Sequence, residues 1–262
     1  MFGTTRGGFW LPFVFFMQFQ TSVAQVNITG KKGLMLIPTA EATTDGQVSL
    51  GRATVPAEHS FYARNRFDDH IYYANLTFIP RLEINFILIR AAATTTQLRQ
   101  GLGDRQLDMK YLLAKETKWR PSVAVLFTFP FSIFPPVSMN ALVATKQGRI
   151  SEAISWQATL GYNAPFVLYR TESNLNNSRF YTLFAVKRKD PTAYGGRFLL
   201  GEFGGVKVSY RHKVGVMGEW DGQKVNIGAY AVVGQRLTLQ AALLAGKQLG
   251  WGVTYQTPLR RE

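Results

Sequence analysis

Leu82-Glu83-Ile84-Asn85-Phe86-Ile87-Leu88 sets apolar side chains at 82, 84, 86 and 88 against polar ones at 83 and 85. Successive side chains on a strand point to opposite faces, so this stretch reads as a ribbon with one greasy and one polar side. The same beat sets Leu107, Met109, Tyr111 and Leu113 against Gln106, Asp108 and Lys110. It sets Ile154, Trp156, Ala158, Leu160 and Tyr162 against Ser155, Gln157, Thr159 and Gly161. Near the end, Leu237, Leu239, Ala241 and Leu243 alternate with Arg236, Thr238 and Gln240. Roughly ten or more such ribbons, each about as long as a tilted membrane crossing of ~9–11 residues, predict an all-β fold. The specific expectation is a transmembrane antiparallel up-and-down β-barrel with its apolar residues facing lipid. A soluble antiparallel sheet alternates as well, and stands as the competing fold.

The N-terminus carries an export pattern. Arg6 supplies a positive charge, Phe9 to Phe19 form a short apolar run, and Ser22-Val23-Ala24 place small residues around a cleavage point. Residues 1–25 therefore read as a cleaved signal peptide, 26–45 as a periplasmic approach segment, and 46–262 as the barrel. No later stretch offers ~18 consecutive apolar residues, which argues against helical spans. An exported chain built of alternating strands points to the outer membrane of a Gram-negative bacterium, where closed barrels satisfy their backbone groups in lipid. Mean hydropathy near zero fits, because a barrel hides its apolar half in alternation.

About twelve strands are expected, within a range of ten to fourteen. They lie near 46–55, 70–79, 82–91, 105–114, 121–130, 139–147, 153–162, 203–211, 213–220, 224–233, 236–245 and 249–257. The longer connections, 56–69, 92–104, 131–138 and 163–202, all follow odd-numbered strands. That parity places them outside the cell, with short turns and both termini in the periplasm. Within 163–202, residues 164–170 and 180–186 can form a further strand pair, either beyond the membrane or in the wall. Asp221-Gly222 is a strong hairpin signal.

Composition excludes several function classes. There is no cysteine, so disulfides, thiolate metal sites and a Cys nucleophile are ruled out. The 30 Lys and Arg against 16 Asp and Glu give a formal net charge of +14. The basic residues are scattered, without a nucleic-acid motif. Outer-membrane lipid, lipopolysaccharide phosphates or an anionic polysaccharide are the expected anionic partners. His59, His70 and His212 have no metal-ligand spacing, and no Gly-x-Ser-x-Gly or phosphate loop is present. No cofactor, metal site or catalytic constellation is expected.

With the apolar stripe facing lipid, Glu83, Asn85, Asp108, Lys110, Lys207, Glu219, Lys224 and Arg236 are expected to face the lumen. Acids and bases are mixed there and can cross-link the interior. Twelve strands leave a lumen that side chains and a folded segment can largely close. Arg170, Arg179, Lys187, Arg188 and Lys189, in the longest connection, are the candidate contacts for an acidic glycan.

The start of the mature chain holds the most specific motif. Gly33-Leu34 is followed by Pro38-Thr39-Ala40, then by Asp45-Gly46 and a strand reaching Gly51. This resembles the opening of the YjbH family of outer-membrane exopolysaccharide-associated β-barrel proteins. Gly103-Asp104 before Leu107 to Leu113, Pro121 to Val125, and Ala141 to Lys146 are similar to that family's next strands. The motif residues are expected to shape the barrel entrance. The resemblance implies a non-enzymatic accessory in exopolysaccharide secretion or cell-envelope assembly. A docking subunit of a larger envelope protein complex and a narrow small-solute pore are the alternatives.

Overall fold

The computed structural model describes residues 25–41, 45–61, 66–92, 103–130, 137–170, 184–189 and 198–259. Residues 1–24, read as the bulk of the signal peptide, lie outside the described residues, as does Arg179.

Twelve antiparallel strands close into a barrel. In chain order, β1 (Gln47–Val55), β2 (Asp69–Ile79), β3 (Leu82–Ala91), β4 (Asp104–Ala114), β5 (Ser122–Thr128), β6 (Asn140–Arg149) and β7 (Ile154–Asn163) pair each with the next. The short strands β8 (Phe166–Arg170) and β9 (Phe184–Arg188) pair only with each other, outside the wall. The wall resumes with β10 (Gly201–Tyr210) against β7. It continues through β11 (Val214–Trp220), β12 (Val225–Val233), β13 (Leu237–Leu244) and β14 (Gln248–Pro258). Closure comes from β14 on β1, where Gln47 opposes Pro258 and Thr54 opposes Trp251. The expected strand count stands, and the extra pair belongs to a loop.

The distribution of side chains is inside out. Leu160, Val216 and Ile227 point outward and are 68 %, 62 % and 58 % exposed, whereas Glu83, Asp108 and Lys110 point inward and are almost fully buried. Leaving one large aliphatic side chain in water rather than burying it costs about 1.5–3 kcal/mol. A ring of them on a closed sheet is stable only against hydrocarbon. That disposes of the soluble sheet. Outward aromatics sit toward both strand ends, with Tyr72, Tyr162, Trp220 and Trp251 at one and Tyr111, Tyr210 and Tyr255 at the other. Rings that are part apolar and part polar suit these two interfaces.

All the long connections emerge at one end, here the loop end; both barrel termini lie at the other, the turn end. The loop end is capped by folded chain. Val137, Met139, Phe198 and Leu199 are buried in one apolar cluster with Ile71, Ile87 and Ile89. Phe61 meets Phe198 edge to face with ring centroids 5.3 Å apart.

Candidate functional site

The lumen is the site, and it is filled. Residues 25–40 run inside the barrel and every one of them is buried. The segment expected to be a periplasmic approach is, as far as Ala40, an internal plug. Only Asp45 and Gly46, in the turn leading to β1, occupy the entrance position read from sequence.

The plug folds on itself before it meets the wall. Val26 bridges Lys32 and Gly33 bridges Pro38, giving two tight antiparallel reversals. The Asn27 side chain holds the first: Oδ1 accepts the Thr29 and Lys31 amides, both at 3.0 Å, and Nδ2 donates to Leu36 O. In the second, Leu34 N donates to Ile37 O and Thr39 N to Lys32 O. Gly33 is required there, because a Cβ at that position would lie 2.3 Å from Ile37 O.

Three acidic residues of the wall grip this folded segment. Glu219 on β11 takes the plug tip: its Oε2 accepts Met35 N (3.0 Å) and Ile37 N (3.3 Å), and its Oε1 accepts Leu36 N (2.9 Å). Successive amides converging on one carboxylate form an anion nest with the charge supplied by the wall. Asp108 on β4 pairs with Lys31 at 2.5 Å, and accepts from Thr128 Oγ1 and Gln106 Nε2. Glu83 on β3 pairs with Lys110 at 2.7 Å and accepts from Asn75 Nδ2 and the Lys32 amide. Further contacts run from Asn85 Nδ2 to Thr29 O and from Ala40 N to Thr145 Oγ1. Gln25 Nε2 reaches both Leu34 O and Gln240 Oε1.

Glu41 ends the plug at the turn end. It accepts from Gln157 Nε2 at 3.1 Å, with Lys207 Nζ 4.0 Å away. Burial alone would raise its carboxyl, but Lys207 and Lys32, helped by the Gln157 hydrogen bond, hold it below the ordinary value. Burial pushes the Lys32 ammonium down to about 8, opposed by Glu41 and Glu83. Below Glu41, a recess lined by Asp45, Arg81, Glu83, Lys110 and Lys115 opens at the turn end.

Of the residues read as lumen-facing, Glu83, Asn85, Asp108, Lys110, Lys207 and Glu219 converge on or beside the plug. Lys224 and Arg236 do not. Each falls in a tight turn just ahead of its strand and is exposed, with Arg236 donating to Tyr255 Oη on the outside. In the long connection, Lys187 and Arg188 are exposed on β9, whereas Lys189 is buried and donates to Ser138 O and Phe198 O at 2.7 and 3.1 Å. Burial pushes the Lys189 ammonium down to about 7. Lys189 therefore fastens the cap and is withdrawn as a glycan contact. Arg170 ends β8.

The motif residues Gly33, Leu34, Pro38, Thr39 and Ala40 are all plug residues, and Gly51 on β1 lies under the Tyr73 ring. Sequence reading missed the wall glycines that make room for the tip. A Cβ at Gly228 on β12 would lie 2.3 Å from Met35 Sδ, whereas one at Gly218 would meet nothing within 4 Å. Gly228→Leu should therefore lower the thermal unfolding midpoint, by overpacking worth about 1–3 kcal/mol, and Gly218→Leu should leave it unchanged. Paired melts of the two variants in one detergent check this.

The YjbH family model, described as exopolysaccharide biosynthesis protein YbjH, matches residues 25–128. That span begins with the plug and ends with β5. No curated protein matches the chain. Among solved structures, an outer membrane channel from Pseudomonas putida F1 is similar at 10 % identity, over 83 % of this chain and 97 % of that one, with a TM-score of 0.36.

Proposed function

We propose that this chain, which carries the YjbH family's signature over residues 25–128, is an outer-membrane accessory of exopolysaccharide secretion or envelope assembly. It performs no catalysis, and both ends of its barrel wall, at Gln47 and Pro258, face the periplasm. The observation that carries this reading is the plug: a lumen occupied by residues 25–40 and gripped by Glu219, Asp108 and Glu83 offers no standing path for a polymer. A closed barrel contributes its surfaces, namely the loops outside and the turn-end recess inside. The same observation speaks against the small-solute pore. A docking subunit of a larger envelope complex remains the second reading, supported by the folded cap and the β8–β9 hairpin that stands off the wall.

A deletion strain scored for surface polysaccharide and for envelope proteins recovered in mild detergent tests both. Loss of polymer, restored by the intact gene, supports the accessory role. Unchanged polymer with loss of a stoichiometric complex favours docking. Lys187→Gln/Arg188→Gln, with Lys189 kept to hold the cap, should reduce retention of an acidic polymer at the cell surface; normal retention rejects those two residues as its contacts.

A further inference from the structure

The outward face of four neighbouring strands breaks the apolar pattern at the loop end. Arg52 on β1, His70 on β2, Arg90 on β3 and Arg105 on β4 share the parity of the lipid-facing side chains. Register aligns them in two rows. One row reads Trp251, Thr54, His70, Arg90; the next reads Val253, Arg52, Tyr72, Leu88, Arg105. All four side chains lie within three residues of the loop-end strand termini, hence within about 10 Å of that rim at the strand rise. The three arginines are exposed. Among the described residues none of them forms an ion pair with a carboxylate. Asp68, beside His70, is occupied by the Ala57 amide at 2.9 Å.

Arg52 is held in place without an acid. Its guanidinium lies 5.6 Å from the Tyr72 ring centroid and 5.7 Å from that of Trp251. Attraction to two ring faces holds the guanidinium, and no carboxylate among the described residues pairs with it. An arginine on the lipid side of a barrel is costly unless an anion meets it, and the cost falls toward the interface, where headgroup phosphates lie. Guanidinium groups bind phosphate oxygens through paired, charge-assisted hydrogen bonds.

We infer that Arg52, Arg90 and Arg105, with His70 between them, form a binding site for the phosphorylated sugar headgroup of an outer-leaflet lipid of the lipid A type. The inference rests on the reading that the loop end faces the cell exterior. Three strand spacings separate Arg52 from Arg105, about 14 Å across the sheet, so the site suits a headgroup bearing more than one phosphate. A lipid with a single phosphate engages one end of the row.

The test is native mass spectrometry of the purified barrel titrated with bis-phosphorylated lipid A, in parallel with phosphatidylglycerol. The variant Arg52→Gln/Arg90→Gln/Arg105→Gln should retain lipid A at least about tenfold less well, the loss expected when several charge-assisted bonds go at once. Arg149→Gln/Arg211→Gln, exposed at the turn end, should behave as wild type. A normal heat-modifiable gel shift establishes that each variant is folded. Equal retention by the triple variant overturns the site, and so does phosphatidylglycerol bound as tightly as lipid A. Labelling of Lys247→Cys by an impermeant maleimide on intact cells reports the orientation separately, so a wrong topology is distinguished from a wrong site.

Discussion

Replacing Glu219 with Leu unseats the plug tip. The carboxylate is the common acceptor for three consecutive plug amides, and it also receives Asn226 Nδ2 at 3.3 Å. Leucine fills similar space and accepts nothing, so the amides of Met35, Leu36 and Ile37 are stranded in a buried setting. Each stranded donor costs about 1–3 kcal/mol, and three together roughly 3–9 kcal/mol, if the tip stays where it is. The strand ladders of β11 do not involve the carboxylate, so the wall survives and the tip moves instead. Planar bilayers should then show higher ion conductance than the wild-type barrel gives, and cells should become more sensitive to bulky antibiotics. Glu219→Gln keeps one acceptor oxygen and should show the same change more weakly. A Glu219→Leu barrel no more conductive than wild type, and as heat-stable, would remove Glu219 as the anchor.

The second large effect belongs to Lys31 and Asp108. Both side chains are 2 % exposed, so either charge left alone is stranded in the lumen. Removing one partner of a buried pair costs about 3–5 kcal/mol, whereas replacing both with apolar groups of similar size is often neutral. Lys31→Met alone should therefore destabilise strongly. Asp108→Leu alone should do so more, because Thr128 and Gln106 lose their acceptor as well. The double variant Lys31→Met/Asp108→Leu should recover much of the Lys31→Met loss. Denaturant unfolding of all four proteins in lipid vesicles gives the coupling energy. Additive losses would mean that the pair does not act as a unit, and that the plug is held elsewhere.

The wall was legible in the sequence for a simple reason. Alternation is a local property of the strand, and in Leu82 to Leu88 the outward and inward sets can be read without knowing any partner. The parity that puts Glu83 and Asp108 inside follows from the same beat. It fails only where the strand stops: Arg236 keeps the polar beat of Thr238 and Gln240 but belongs to the turn before Leu237. Lys224 precedes Val225 in the same way.

The plug was not legible, because its local turns do not say what they pack against. Residues 25–40 have neither a strand nor a helix period, and their place in the lumen depends on partners far away in sequence, as Met35 depends on Glu219. One signal was present. Acids on the inward face of three strands need counter-charges or donors, and the basic pair Lys31-Lys32 beside the Gly33 and Pro38 turns supplies them. The strength of the Gly33 to Ala40 motif thus has a physical cause in the lumen: those residues must fold tightly enough to fit inside twelve strands. Lys189 was misread because charge in a loop suggests exposure, whereas here the ammonium is spent on two carbonyls of the cap.

Residues 25–40 lie inside the wall, and the absence of native cysteine makes that placement directly measurable. A Cβ at position 228 lies 2.9 Å from Met35 Cγ, close to the roughly 3 Å that disulfide geometry sets between a Cβ and the far sulfur. Met35→Cys/Gly228→Cys in the folded barrel should therefore cross-link nearly completely under mild oxidation. Met35→Cys/Ile227→Cys, whose second site is one residue along and faces lipid, should not. Equal failure of both pairs, with Met35→Cys alkylated by a water-soluble maleimide as fast as an exposed turn site, would contradict the plug.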